Sequence, residues 1–183
     1  MHIVALAELV VGWIAYFAAF ANRAKQRGGR EPVVRATRSK WGIALHAVAI
    51  AVALNDWSAW PAPVARVIAS MALVPIAVWC VWRSVIHLGK QWRLEAGLNE
   101  DHELVRGGPY SIVRHPIYAS LFAMLLATTL LNARWLIVIL SAVIFIIGTE
   151  IRISAEEELL ENRFGDSFRQ YRSRVRAYIP LVR

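Results

Sequence analysis

Three apolar stretches in the first half of the chain predict membrane-spanning helices. Residues 3–21 contain a single charged side chain, Glu8, and as a helix they are long enough to cross a hydrocarbon core of about 30 Å. Further spans are predicted at about 41–54 and about 64–86, separated by an aromatic, proline-rich segment at 55–63. The first half of the chain therefore consists largely of apolar helices with short connections.

A later apolar run, residues 117–147, is too long for one ordinary span. Its only charged residue is Arg134, and residues 132–134 are typical of a tight turn, so the run predicts two helices joined as a hairpin. The whole pattern predicts an all-α integral membrane protein with five transmembrane helices. Residues 1–86 form the first three helices, and residues 87–183 contain the hairpin and the polar motifs.

Composition supports a membrane protein and excludes several other classes. Apolar residues make up 57% of the chain and charged residues 19%, against about 45–50% and about 25% in soluble domains. The single cysteine, Cys80, excludes a disulfide framework, and the five histidines lack the spacing of metal ligands. We therefore expect no metal. Dinucleotide-binding and Walker-type glycine loops are also absent from the sequence.

The basic residues predict the orientation of the helices. The chain has 21 Lys and Arg against 13 Asp and Glu, and in an apolar chain this excess indicates loops facing an anionic leaflet rather than a nucleic-acid partner. Of the 21 basic residues, 19 lie in segments 22–40, 83–116 and 152–183. Five spans place these segments on one side, which the positive-inside rule makes cytoplasmic. The prediction is an external N-terminus and a cytoplasmic C-terminus.

The segment before the hairpin concentrates residues that can bind a ligand. Glycine and proline at positions 107–109 and 116 predict a compact loop whose backbone can approach a ligand closely. The polar and aromatic side chains of this loop are His102, Tyr110, Arg114, His115 and Tyr118. These residues alone leave a second interpretation open, in which Arg and Tyr side chains anchor a juxtamembrane loop to lipid headgroups.

A second cluster of charges lies at the end of the predicted fifth helix. Arg152 and Glu156 are four residues apart and share one helix face, whereas Glu157 is rotated by about 100° from Glu156. Charges this close to a membrane boundary are costly unless they are paired or face a watery cavity. The commoner alternative for such a cluster is a solvated run with one ion pair.

Beyond this cluster the sequence predicts an amphipathic basic helix. Its apolar residues recur at steps of four and three, with arginines between them. They are Phe164, Phe168, Tyr171, Val175 and Tyr178. Such a helix is suited to lie on the membrane, with its apolar stripe either in lipid or packed on the hairpin.

Together these motifs resemble the isoprenylcysteine carboxyl methyltransferase family, whose relatives include phospholipid N-methyltransferases. The resemblance covers about residues 88–180, half of the chain, and rests on two motifs in order around the hairpin. The first is Gly108-Pro-Tyr-x-x-x-Arg114-His115-Pro-x-Tyr118. The second is Arg152-x-x-x-Glu156-Glu157-x-x-Leu160-x-x-x-Phe164-Gly165, followed by Tyr171 and by Val-x-x-x-x-Pro180. Residues 87–183 are then expected to form a methyltransferase core with a cytoplasmic cofactor pocket.

The resemblance implies a cofactor and a set of site residues. Family members use S-adenosyl-L-methionine without a metal and release S-adenosyl-L-homocysteine. The resemblance implies that the cofactor-binding residues are His102, Leu104, Val105, Tyr110, Arg114, His115, Pro116, Tyr118 and Glu156. Arg152 matches an arginine at the methyl acceptor, and an aromatic, carboxylate-bearing pocket suits a sulfonium.

The acceptor stays open between two chemistries. A carboxylate is ionised at neutral pH and needs no base, but it needs a fork-shaped cation to orient it, for which Arg152 fits. An amine acceptor, such as a lipid amine, would instead need a base, for which Glu157 is the candidate. We expect carboxyl O-methylation of an isoprenylcysteine-like or other lipophilic acid. The alternatives are a lipid amine N-methyltransferase and a non-catalytic membrane relative.

Overall fold

The computed structural model describes residues 1–27, 34–93, 97–98 and 102–178. The described residues form six α-helices: α1 His2–Arg27, α2 Ser39–Asn55, α3 Val64–Leu88, α4 Pro116–Asn132, α5 Trp135–Phe164 and α6 Asp166–Arg174. Two antiparallel two-residue strands, β1 Val34–Arg35 and β2 Gly97–Leu98, join the segments after α1 and α3. Pro180, Arg183 and part of the basic loop 22–40, used above, lie outside the described residues.

Each predicted apolar stretch is helical, which confirms the all-helical architecture. Helices α1, α3 and α5 are long and apolar enough to cross a membrane. Helices α2 and α4 are apolar but contain only 17 residues each, near the lower limit of about 17 for a spanning helix. The number of five spans, and with it the orientation of the termini, therefore stays a prediction.

The helices pack in two groups around α4. Helices α1 and α3 cover one side of α4 through an apolar core that includes Tyr16, Val67 and Met124. On the other side α2 lies along α5, and the two helices approach closely at Gly42 and Gly148. A side chain at Gly42 would collide with the Gly148 carbonyl and with the Cγ atom of Arg152, one turn further along α5. Both glycines are therefore required by the close helix crossing.

The hairpin turn occurs where the sequence predicts it, since α4 ends at Asn132 and α5 begins at Trp135. Arg66 of α3 donates to the Thr129 carbonyl at 2.8 Å and to the Ala133 carbonyl, which satisfies carbonyl groups at the end of α4. Asp56, which lies between α2 and α3, accepts a hydrogen bond from the backbone N–H of Arg134 at 3.1 Å. Its carboxylate also pairs with the guanidinium of Arg134. Hydrogen bonding to Ser58 lowers the pKa of Asp56 to about 2.

The prediction of one amphipathic helix from Phe164 to Tyr178 is wrong. Gly165 has a φ of 50°, a left-handed conformation that glycine adopts readily, and it ends α5 before α6 begins. After α6, residues 175–178 run beside residues 113–115, and Arg176 forms a backbone bridge with Val113. The aromatic rings of Phe168 and Tyr171 are buried against the rest of the protein, so this part of the stripe packs on protein rather than in lipid.

Candidate functional site

One large cavity brings most of the predicted site residues together. Its volume is about 640 Å³, within the range of about 300–1,000 Å³ that is usual for small-molecule sites. Nine of the eleven predicted residues line it: His102, Leu104, Val105, Tyr110, Arg114, His115, Tyr118, Arg152 and Glu156. Pro116 and Glu157 do not line the cavity. The roles proposed for all eleven residues stay predictions.

A buried cluster of Arg152, Tyr118 and Glu156 lies on the cavity wall. The Arg152 side chain is only about 5% exposed, and its Nε donates to the Tyr118 hydroxyl at 2.7 Å. That hydroxyl in turn donates to Glu156 Oε1, which also lies 3.5 Å from Arg152 Nη2. The helical spacing places Arg152 and Glu156 on one face of α5, and Tyr118 of α4 connects them. The guanidinium therefore has a fixed position.

His115 precedes α4 and contacts two carboxylates of α5. Its Nδ1 is 3.5 Å from Glu156 Oε2, and its Nε2 is 3.1 Å from Glu157 Oε1. Burial alone would lower the pKa of His115, but the hydrogen bonds and charges of the two carboxylates outweigh burial and raise it. The raised pKa favours an imidazolium that donates to both carboxylates. Its ring also stacks on Tyr118 with centroids 5.8 Å apart.

Glu157 faces Arg114 rather than the cavity. Arg114 donates to Glu157 Oε1 from Nε at 2.8 Å and from Nη2 at 2.7 Å, while His115 contacts the same oxygen. Arg114 also donates to the Val175 and Arg172 carbonyls of the C-terminal segment. The backbone N–H groups of Arg114 and His115 bond to the Arg176 and Ala177 carbonyls, each at 2.7 Å. Glu157 thus connects α5 to the loop that carries the site.

The polar end of the cavity is formed by the loop before α4, the turn after α3, and α6. Tyr110 is buried, which raises the pKa of its phenol well above the ordinary value, and its hydroxyl has no hydrogen-bond partner among the described residues. The Tyr171 hydroxyl donates to the Tyr110 carbonyl at 2.6 Å, and burial raises the pKa of Tyr171 to about 12. Phe168 completes the aromatic wall at this end.

One side of the cavity is largely apolar and is formed by residues of α1, α2 and α4. Its wall residues are Tyr16, Phe17 and Phe20 of α1, Ile43, Ala47 and Ile50 of α2, and Leu121 of α4. His46 also lines the cavity, where its Nε2 lies 3.0 Å from Thr149 Oγ1 and its ring stacks on Phe145 with centroids 4.3 Å apart. None of these residues was among the predicted site residues, because in sequence they are indistinguishable from lipid-facing or core positions.

Comparison with known proteins identifies the family. A family model described as phospholipid methyltransferase matches residues 65–167, which run from the start of α3 into α6 and include both predicted motifs. The chain belongs to the phospholipid methyltransferase family. This membership confirms the resemblance to isoprenylcysteine methyltransferases and their relatives. Within the described residues no three His, Cys, Asp or Glu side chains are grouped as metal ligands would be.

Two curated proteins are similar in sequence to part of this chain. A protein-S-isoprenylcysteine O-methyltransferase of Schizosaccharomyces pombe is 39% identical over 84 residues, which cover 46% of this chain and 36% of the relative. Protein-S-isoprenylcysteine O-methyltransferase B of Arabidopsis thaliana is 32% identical over 106 residues, 58% of this chain and 51% of the relative. The chain matches between about a third and about half of the length of these relatives.

Proposed function

We propose that this protein is an integral membrane methyltransferase that transfers a methyl group from S-adenosyl-L-methionine to the carboxylate of an isoprenylcysteine-like or other lipophilic acid. The observation that carries the proposal is that one cavity is lined both by the buried Arg152 cluster and by apolar residues of α1 and α2. A cation beside an apolar channel fits an acceptor with a charged head and a lipid chain. The printed names of both relatives support the same chemistry.

The residues at the polar end fit the cofactor. The unpartnered Tyr110 hydroxyl can bond to a ligand, and Glu156 with the ring of Tyr118 provides the carboxylate and aromatic face that attract a sulfonium. His102, Leu104, Val105, Tyr110, Arg114, His115, Pro116, Tyr118 and Glu156 would hold it, as the family resemblance implies. When bound, the cofactor supplies an activated methyl group. No metal is needed for this chemistry.

Arg152 would orient the acceptor carboxylate. A carboxylate is ionised at neutral pH, so the transfer to its oxygen requires no general base. The Tyr118 hydroxyl accepts a hydrogen bond from Arg152 Nε and so fixes the guanidinium. Because Arg152 and Tyr118 are buried, water would be excluded from the point where the acceptor and the methyl group meet. Methyl transfer depends mainly on such positioning, which can contribute several kcal/mol to the rate. The products are a methyl ester and S-adenosyl-L-homocysteine.

The predicted topology places the two ligands on different routes. The polar end of the cavity would face the cytoplasm, where the cofactor is dissolved, with the N-terminus on the opposite side of the membrane. The lipid chain of the acceptor, a lipophilic small molecule or a lipidated protein, would lie along the wall formed by Phe17 of α1 and by Ile43 and Ile50 of α2. Membrane lipids surround the apolar outer faces of the helices.

A lipid amine is the second candidate acceptor, because the matched family is described as phospholipid methyltransferase. An amine acceptor requires a proton acceptor, and Glu157 was the sequence candidate. In this fold Glu157 is bonded to Arg114 and His115 and lies outside the cavity lining, so a carboxylate acceptor is the better supported of the two.

The test is binding followed by transfer. Calorimetric titration of the detergent-purified protein with S-adenosyl-L-homocysteine should show saturable binding. Labelled S-adenosyl-L-methionine should then methylate farnesylcysteine-type acids, and the corresponding carboxamide serves as a matched substrate without the anionic oxygen. Absence of cofactor binding would favour a non-catalytic relative. Methylation of phosphatidylethanolamine but not of the acid would establish the amine alternative.

A further inference from the structure

We infer that Gln91 is a specificity-determining residue that hydrogen-bonds to the adenine base of the nucleoside methyl donor. The inference rests on the proposed function and adds to it a residue that lies outside the two motifs and outside the predicted set of site residues. It starts from a buried side-chain amide on the cavity wall, in the turn that follows α3.

Gln91 is buried with its polar atoms unused. The residue is about 5% exposed, and neither Nε2 nor Oε1 has a hydrogen-bond partner among the described residues. An unsatisfied buried polar group is destabilising, so such a group is unusual unless a ligand satisfies it. The neighbouring cavity contains a second unused polar atom, the Tyr110 hydroxyl. Two such groups in the lining of one cavity indicate a polar ligand.

The backbone holds Gln91 in this position. The turn Gly89–Gln91 follows α3 directly, and Gly89 adopts a φ of 52° that a residue with a side chain rarely adopts. The next residue, Trp92, is buried and stacks on Phe20 of α1 with ring centroids 5.3 Å apart. The turn is therefore fixed against both α1 and α3, and its amide is presented to the cavity by a rigid support.

The chemistry around Gln91 favours a neutral heterocycle. Its side-chain amide offers one donor and one acceptor in a plane, which matches the adjacent donor and acceptor on an edge of adenine. Trp92 and Tyr110 also line the cavity and provide aromatic surface for a flat base. The zwitterionic amino-acid end of the cofactor is better matched by charged groups such as Arg114, His115 and Glu156, which line the same cavity.

Two ligands and two variants test the assignment. S-adenosyl-L-homocysteine contains the base and the amino-acid end, whereas 5′-methylthioadenosine contains the base without that end. Gln91→Met keeps the length of the side chain and removes both hydrogen bonds. Gln170→Met makes the same change at an exposed position of α6 as the control. Binding is measured by calorimetry, and folding by thermal unfolding of the ligand-free protein.

We expect Gln91→Met to weaken the binding of both ligands by the same factor, about tenfold or more. Gln170→Met should weaken the binding of neither ligand. Because the amide has no hydrogen-bond partner among the described residues, its removal should leave the unfolding temperature unchanged or raise it. Loss of affinity for S-adenosyl-L-homocysteine alone would place Gln91 at the amino-acid end and overturn the assignment, as would unchanged binding of both ligands. A lower unfolding temperature would also contradict it, by showing a structural role. Failure of the unsubstituted protein to bind either ligand would instead refute the proposed function.

Discussion

Replacing Arg152 by lysine tests whether the guanidinium orients the methyl acceptor. The substitution keeps the positive charge but removes the planar fork that makes paired contacts with a carboxylate. In the structure Nε donates to the Tyr118 hydroxyl at 2.7 Å, and Nη2 lies 3.5 Å from Glu156 Oε1. A lysine side chain has no donor at the position of Nε, so the hydrogen bond to the Tyr118 hydroxyl is lost while a positive charge remains near Glu156.

The size of the effect follows from these contacts. A hydrogen bond that involves a charged group contributes about 1.5–3 kcal/mol, and about 1.4 kcal/mol corresponds to a tenfold change in rate. Loss of one such contact lowers turnover by roughly ten- to a hundredfold. Displacement of the acceptor from the reacting methyl group adds to this loss. We expect turnover of Arg152→Lys to fall about 100-fold or more, while affinity for S-adenosyl-L-homocysteine changes little.

The assay compares methyl transfer to a farnesylcysteine-type acid with cofactor titration on the same preparation. Arg38→Lys is the matched control, because Arg38 pairs with Glu158 of α5 at the surface, where both side chains are more than half exposed. Exposed pairs contribute about 0–1 kcal/mol, so this control should retain normal turnover. Near-normal turnover of Arg152→Lys would refute the role of Arg152 and favour an amine acceptor.

Three further predictions concern Tyr118, His115 and the topology. Tyr118→Phe removes the hydroxyl between the guanidinium and the carboxylate but keeps the ring, so turnover should fall about tenfold; unchanged turnover would show that the bridge is not needed. The carboxylates around His115 raise its pKa above the ordinary value of about 6.5, so its contribution to stability is complete below about pH 6.5 and is lost as the pH rises through the raised value. The unfolding temperature should therefore fall over that interval, and His115→Gln should flatten the profile; equal slopes would contradict this. In a Cys80→Ser background, a membrane-impermeant maleimide should label Ser58→Cys on intact cells but Ser167→Cys only after permeabilisation, and the reverse pattern would invert the topology.

Local signals made the helices and the hairpin predictable. The turn at 132–134 contains a polar residue and a charge between two apolar runs, and such a break is visible in the sequence itself. The pairing of Arg152 with Glu156 was equally accessible, because a spacing of four residues fixes their common helix face. These features depend on the helical repeat and on turn residues, not on how distant helices pack.

Features that depend on packing could not be predicted. The role of Tyr118 in joining Arg152 to Glu156 arises only where α4 meets α5. The aromatic period at 164–178 indicated a continuous helix, but the backbone of residues 175–178 pairs with the loop before α4 instead. Gln91 gave no signal, because a glutamine in a polar connection is ordinary in sequence and becomes unusual only when its burial is known.

The pairing of residues 175–178 with residues 113–115 also sets an order for biosynthesis. The Arg114 and His115 amides find their acceptors only in a segment that follows all six helices in the chain. While the ribosome is still translating α6, the loop that carries His115 has already been synthesised but lacks these two bonds. A nascent chain released at Arg174 would thus contain all six helices and still have an unsupported loop. The loop can therefore acquire its two hydrogen bonds only after residues 176 and 177 have been synthesised.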